Sequence, residues 1–230
     1  RGGVRYRAPA FLQRRSRPLQ ARRWPPASCH RIDHGLVAAV TMVAVLASGA
    51  MNPAPNLVLV GPMGSGKTSI GRRLADRFGL RFVDADHHVE QQSGATISAI
   101  FEHVGETGFR QREAAALASL LAGERLLLAT GGGAVLAEAN RRLMRERGFV
   151  VYLQAGLESQ LKRLHRDRSR PLLQRPDREQ VLRELARLRE PLYREVADLV
   201  LDTDGLSAAE AASRLGLQLA QHWTIEGVAA

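Results

Sequence analysis

The chain has 230 residues, one cysteine, and 33 basic against 23 acidic side chains, for a formal net charge of +10. The excess is local: Arg1 to Ala50 hold nine arginines and one acid, Asp33, which leaves 24 basic and 22 acidic groups, or +2, on the other 180 residues. The charge is therefore poor support for a nucleic-acid-binding domain, and a lone Cys29 excludes a disulfide scaffold and suits a reducing cytoplasm.

In chain order, Arg1 to Pro26 is rich in arginine and proline without apolar periodicity, and no packed core is expected there. Leu36 to Ala47 is a twelve-residue apolar run, too short to span a bilayer. With arginines before it and Ser48-Gly49-Ala50 after it, this segment imitates a signal peptide, and its low acid content imitates a transit peptide. A nucleotide-binding loop only a few residues later argues against export. Met51 is the expected initiator, so that 1–50 is a basic extension and 51–230 the folded domain.

From Met51 onward, short apolar runs alternate with helical patterns. The expected strands are Leu57–Val60, Arg81–Val83, Leu126–Ala129, Val150–Leu153 and Leu199–Leu201. Between them fall expected helices at Lys67–Phe78, Ile97–Leu121, Leu136–Arg147, Leu157–His165, Arg178–Val196 and Ser207–His222. Val181, Leu182, Leu185, Leu188 and Leu192 form one apolar stripe in the fifth helix, read as core packing. Strands and helices in alternation predict an α/β domain with a parallel sheet covered on both faces. The segment at about 166–177 is polar, arginine-rich and broken by Pro171 and Pro176, and reads as a lid loop.

The strongest local signal is Gly61-Pro-Met63-Gly64-Ser65-Gly66-Lys67-Thr68-Ser69, directly after Leu57–Val60. It fits G-x-x-x-x-G-K-[ST] between a strand and a helix. Its backbone N–H groups can cradle phosphates at a helix N-terminus, Lys67 can reach the β- and γ-phosphates, and Thr68 can bind Mg²⁺. Asp84 and Asp86 follow the second strand. Two residues apart on a strand end, they would project to one side of the sheet, one toward Mg²⁺ and one toward an acceptor hydroxyl. Read alone, the pair would suit helix capping. Arg110 and Glu113 share a helix face and would make an ordinary surface pair, or Arg110 could fork onto a substrate carboxylate. Gly131-Gly132-Gly133 at a strand's carboxyl end can let a ligand approach the backbone. Arg163, Arg166, Arg168 and Arg170 surround the lid, and Pro191 would interrupt a helix and set Arg189 over the crevice as a second carboxylate clamp.

Taken together, GPMGSGKT, DAD, FRQRE, LATGGGAV, RDRSRPLL and REPLY resemble the bacterial shikimate kinase family, in the family's order, over nearly all of 51–222. The resemblance implies a three-layer P-loop kinase fold with a five-stranded sheet, a lid and a substrate-binding subdomain. It implies transfer of the ATP γ-phosphoryl group to the 3-hydroxyl of shikimate, on the way to chorismate and the aromatic amino acids. It implies that Lys67 and the P-loop amides hold the phosphates, and that Thr68 and Asp84 serve Mg²⁺. Asp86 binds the shikimate hydroxyls and orients or accepts a proton, while Arg110 and Arg189 pair with the carboxylate. Gly131, Gly132 and Gly133 line the ring, with Phe101 and Phe109 as apolar walls. Arg163 packs on the adenine and Arg170 closes over the phosphates. A cytoplasmic monomer with no nucleic-acid or membrane partner is the accompanying expectation. Ala85, where the family often has Thr or Ser, and the inverted Thr68-Ser69 order depart from the pattern without touching the activity. A gluconate kinase shares the P-loop, but Arg110, Arg189 and the glycines favour a carboxylated ring acceptor. A non-catalytic nucleotide-binding module would rest on the basic extension alone.

Overall fold

Residues 52–165 and 177–224 are described by a computed structural model. Five short strands among them, β1 (Leu57–Val60), β2 (Arg81–Asp84), β3 (Leu126–Ala129), β4 (Phe149–Gln154) and β5 (Leu199–Asp202), form one parallel sheet in the order β2-β3-β1-β4-β5. All of β1 and β3 is buried, as expected of strands covered on both faces. Side-chain alternation along β1 feeds two cores. Leu57 and Leu59 pack with Ile70, Leu74, Leu215 and Trp223 on one face. Val58 and Val60 pack with Leu117, Leu121, Tyr152 and Tyr193 on the other.

The helices are α1 (Lys67–Phe78), α2 (Ala85–Ser93), α3 (Ile97–Leu121), α4 (Glu138–Arg147), α5 (Leu157–Leu164), α6 (Arg178–Val196) and α7 (Ala208–His222). Sharp chemistry fixes several ends. Ser207 and Glu210 form a reciprocal capping box at the start of α7, and Gly79 closes α1 in a left-handed conformation. Because β1 is central and every pairing is parallel, the carboxyl ends of β1, β2 and β3 open on one edge. Asp84 pairs in register with Ala129, and Leu59 with the same Ala129 from the other side. That edge is where ligands bind in open α/β sheets.

Five expectations need correction. Helix α2 was not anticipated, since its polar sequence ADHHVEQQS has little apolar stripe. Helix α3 is kinked at Gly105, whose φ of 68° and ψ of −176° are not helical. The stretch expected to be helical from Leu136 begins as a 3₁₀ turn, Ala134–Leu136, and only then becomes α4. Helix α6 runs through Pro191 without a break, with that proline on its exposed side. The stripe expected on α6 holds only in part: Leu182 is buried and Leu192 packs against the core, but Leu188 is 65% exposed, and Tyr193 and Val196 complete the inward face. The expected lid lies outside the described residues, save its last residue Asp177.

Candidate active site

The P-loop sits at the end of the central strand because only glycine accepts its backbone. Gly61 and Gly66 have φ of 144° and 92°. Gly66 is the N-cap of α1, and no side chain caps that helix. Its first N–H groups are thus aimed outward at the positive end of the helix dipole, ready for an anion. Lys67 Nζ donates to the carbonyls of Gly61 and Pro62, both at 2.8 Å. Thr68 Oγ1 donates to Asp84 Oδ2 at 2.8 Å. Ser65 is fully buried, Ser69 is exposed, and Met63 packs against the small apolar cluster of Leu164 and Leu182. A cavity of about 170 Å³ lies against this loop and is lined by Met63, Gly64, Gly66, Lys67, Thr68, Ser69, Asp84, Asp86, Thr130 and Gly132.

Asp84 and Asp86 meet the site by a different route from strand alternation. Asp84 ends β2 and caps α2, its Oδ1 accepting from the N–H groups of Asp86 and His87. Asp86 stands in the first turn of α2. Capping and site geometry are therefore one arrangement, with one oxygen of Asp84 on the helix and the other on Thr68. Ala85 between them is buried in the core.

The three glycines are the meeting point on the acceptor side. A Cβ at Gly131 would lie 2.5 Å from Asp86 Oδ1 and 3.0 Å from Glu113 Oε1. At Gly132 it would lie 3.5 Å from the Tyr193 hydroxyl and 3.6 Å from Arg189 Nη1, and at Gly133 it would overlap the Arg110 guanidinium. The loop thus touches Asp86, Arg189 and Arg110 in succession, which brings together three residues from three different helices. Arg189 reaches it by the phase of an unbroken α6, being one turn before the buried Tyr193, and the expected Pro191 interruption plays no part.

Arg110 and Glu113 are no surface pair. Arg110 Nη1 donates to Glu113 Oε2 at 2.8 Å, and Glu113 is only 2% exposed. Glu106 takes the other edge of the guanidinium at 3.1 Å. Burial pushes the Glu113 carboxyl above its usual range and Asp86 adds to the rise, against the pull of Arg110 and Arg189. Burial works against the Arg110 cation, but Glu113 and Glu106 outweigh it and hold its pKa above the usual value. Glu113 Oε1 has no hydrogen-bond partner within the protein, a buried acceptor pointing at the glycine loop. Phe109 is buried with Val89, Ile100 and Ala116 beneath the Arg110 guanidinium, and the more exposed Phe101 stacks on it at 4.7 Å.

Arg163 is placed by backbone carbonyls: it donates to Gly64 O, Thr203 O and Leu206 O and to Thr203 Oγ1. These bonds engage the edge of the guanidinium, and stacking on a base would use its face. Arg170 lies outside the described residues. Sequence reasoning missed two supports of the glycine loop. Asn140 donates to Ala134 O at 3.0 Å, and Arg141 donates to Val135 O and Leu136 O and pairs with Glu195. Their side chains serve a turn rather than a pattern, so periodicity carries no trace of them.

A family model described as shikimate kinase matches residues 63–220. A shikimate kinase of Xanthomonas campestris pv. campestris (strain 8004) is 61% identical over 180 residues, 78% of this chain and all of that protein. One from Stenotrophomonas maltophilia (strain R551-3) is 61% identical over 173 residues, 75% of this chain and 96% of that protein. The solved shikimate kinase from Acinetobacter baumannii in complex with shikimate is 50% identical with a TM-score of 0.70, over 73% of this chain and 93% of that one. The chain belongs to the shikimate kinase family. As a shikimate kinase it is an ATP-dependent small-molecule kinase with the P-loop kinase fold.

Proposed function

We propose that this shikimate kinase moves the γ-phosphoryl group of ATP to the 3-hydroxyl of shikimate, with the residues above in named roles. The observation that carries the assignment is the convergence of Asp86, Arg110 and Arg189 on Gly131–Gly133, beside the P-loop. Arg110 and Arg189 suit a carboxylate, since a planar guanidinium forks onto two oxygens. Glu113 and Glu106 hold the Arg110 fork in place before substrate arrives. The glycines let the acceptor ring approach the backbone, and Phe101, backed by Phe109, forms the apolar side.

Asp86 is the group to orient the 3-hydroxyl and accept its proton as oxygen attacks the γ-phosphorus. The bond from that phosphorus to the β-phosphate oxygen breaks and ADP leaves. Positioning and charge neutralisation do most of the work in such a transfer. Lys67, freed from the carbonyls of Gly61 and Pro62, turns its ammonium onto the β- and γ-phosphates, and the α1 N-terminus holds them. Arg163 offers its face to the adenine, and Arg170 arrives with the lid.

Thr68 and Asp84 are the residues to hold Mg²⁺. Among the described residues no three His, Cys, Asp or Glu side chains group as a metal site. One hydroxyl and one carboxylate are nevertheless the donor set that Mg²⁺ takes when phosphates and water fill its shell. Bound there, Mg²⁺ would neutralise charge on the phosphates.

We also infer a cytoplasmic monomer that works without nucleic acid or membrane. The +2 charge outside residues 1–50 supports this, and among the described residues no helix is long and apolar enough to cross a membrane. Met51–Ala230 is proposed as the complete catalytic unit, with 1–50 dispensable.

ADP release with Mg²⁺ and ATP, compared between shikimate, gluconate and no acceptor, tests the function. Release with shikimate alone is the expected result. Equal release with gluconate would overturn the roles given to Arg110 and Arg189.

A further inference from the structure

Tyr193 stands against the glycine loop and beside Arg189. Its ring is buried (2% exposed) and stacks on Tyr152 at 5.1 Å. Its hydroxyl donates to Gly132 O at 2.5 Å. One turn earlier on α6, Arg189 comes to the same place: a Cβ at Gly132 would lie 3.5 Å from the Tyr193 hydroxyl and 3.6 Å from Arg189 Nη1. Positions i and i+4 on a helix are neighbours, so one oxygen stands between the glycine loop and the arginine.

We propose that Tyr193 is a positioning residue for the acceptor, its hydroxyl setting the distance between Gly132 and the Arg189 guanidinium. This rests on the acceptor-site reading given above. The geometry has a simple logic. Gly132 has no side chain with which to fix itself, and Arg189 has a long flexible one. A phenol anchored by a stacked ring supplies the fixed point for both: it donates to the loop carbonyl, and its oxygen lone pairs face the guanidinium neighbour on α6. Burial pushes the Tyr193 hydroxyl up to about 12, so it keeps the proton that it donates to Gly132 throughout the neutral range.

Tyr193→Phe keeps the ring and its stacking and removes only the oxygen. The expected result is a rise in shikimate KM of about tenfold, the size of one lost hydrogen bond plus a loosened clamp, with the ATP KM unchanged within about twofold. Tyr152→Phe serves as the control. It removes the hydroxyl of the partner ring, and the shikimate KM should stay at the wild-type value. A residue that only supported the fold would lower the amount of active enzyme and leave both KM values alone; that pattern, or an unchanged variant, overturns the inference. Arg189→Lys separates the two levels of the argument. If it weakens shikimate binding while Tyr193→Phe does not, only the role of Tyr193 fails. If neither substitution affects shikimate, the acceptor site itself has been misplaced. Thermal melts of both phenylalanine variants, with and without 1–50, check that each is folded, and shikimate-induced stabilisation reads binding directly should Tyr193→Phe turn over too slowly.

Discussion

Gly133→Ala is the most discriminating single change in this site, because the structure separates its local cost from its functional one. Gly133 has φ of −98° and ψ of −3°, a conformation alanine adopts without strain. The added methyl would stand 2.5 Å from Arg110 Nη1 and 2.7 Å from Cζ, where ordinary contact begins at 3.4 Å. The guanidinium must therefore retreat by about 1 Å, which the flexible end of an arginine can do cheaply. Retreat stretches the 2.8 Å bond to Glu113 and moves the fork from its place beside the loop. A displaced fork would lose its charge-assisted hydrogen bond to the substrate carboxylate, worth about 1.5–3 kcal/mol, so shikimate KM should rise about 10- to 150-fold. Stability should fall by no more than about 1–3 kcal/mol, the range for weakening the charged hydrogen bond to buried Glu113, since no backbone strain is involved. Steady-state titration of shikimate at saturating ATP, then of ATP at saturating shikimate, reads the result. A shikimate KM within twofold of wild type would falsify the placement of Arg110 against this loop. A parallel rise in both KM values would instead mean that the loop itself collapses.

Lys67→Ala is expected to abolish nearly all turnover, because the ammonium that the P-loop pattern aims at the phosphates is gone; normal kcat in a coupled assay would remove the P-loop role. Arg110→Lys keeps the charge but loses the fork, and should weaken shikimate far more than ATP, as isothermal titration of each ligand would show. Thr68→Val takes the hydroxyl from Asp84 and should raise the Mg²⁺ concentration needed for half-maximal rate; an unchanged Mg²⁺ dependence would count against Thr68 as a ligand. Glu113 gives a pH signature. Its folded pKa exceeds its unfolded one, so its favourable contribution to stability is present below the unfolded value and fades as pH rises through the raised one. Shikimate binding should run in the opposite sense, weakening as acid protonates Glu113 and strips Arg110 of its anion. Glu113→Gln should flatten both dependences, and a surviving acid limb in shikimate KM would assign that limb to another group.

Much of this fold could be read from the chain because its signals are local. Leu57–Val60 and Leu126–Ala129 are unbroken apolar runs that only a strand buried on both faces explains, and the glycines and Lys67-Thr68 carry their own loop chemistry. What stayed hidden depended on contacts distant in sequence. Asn140 and Arg141 hold carbonyls of the 134–136 turn, and nothing in their spacing announces it. Helix α2 owes its start to Asp84, and its two inward residues, Ala85 and Val89, are too few to mark a stripe. For Asp84 and Asp86, helix capping and a place beside the P-loop read from the sequence as rivals. They coexist because a carboxylate has two oxygens, and Asp84 gives one to the helix and one to Thr68.

Helix α6 brings Arg189 to the glycine loop by its phase and not by a break at Pro191. Hydropathy selects Leu188 as an inward residue and leaves Arg189 to be explained by a break at Pro191. The helix is continuous, and its buried positions Leu182, Tyr193 and Val196 fix a phase on which Arg189 falls and Leu188, 65% exposed, does not. An arginine on the inward stripe is the informative exception, because a cation turned toward a packed face requires an anion or a fixed acceptor there. Here the inward path leads to the hydroxyl of Tyr193, Gly132 and the acceptor crevice. Phase therefore predicts position where hydropathy does not: a charged residue four places from a buried tyrosine, on a helix bordering a glycine loop, belongs to the site that the loop lines.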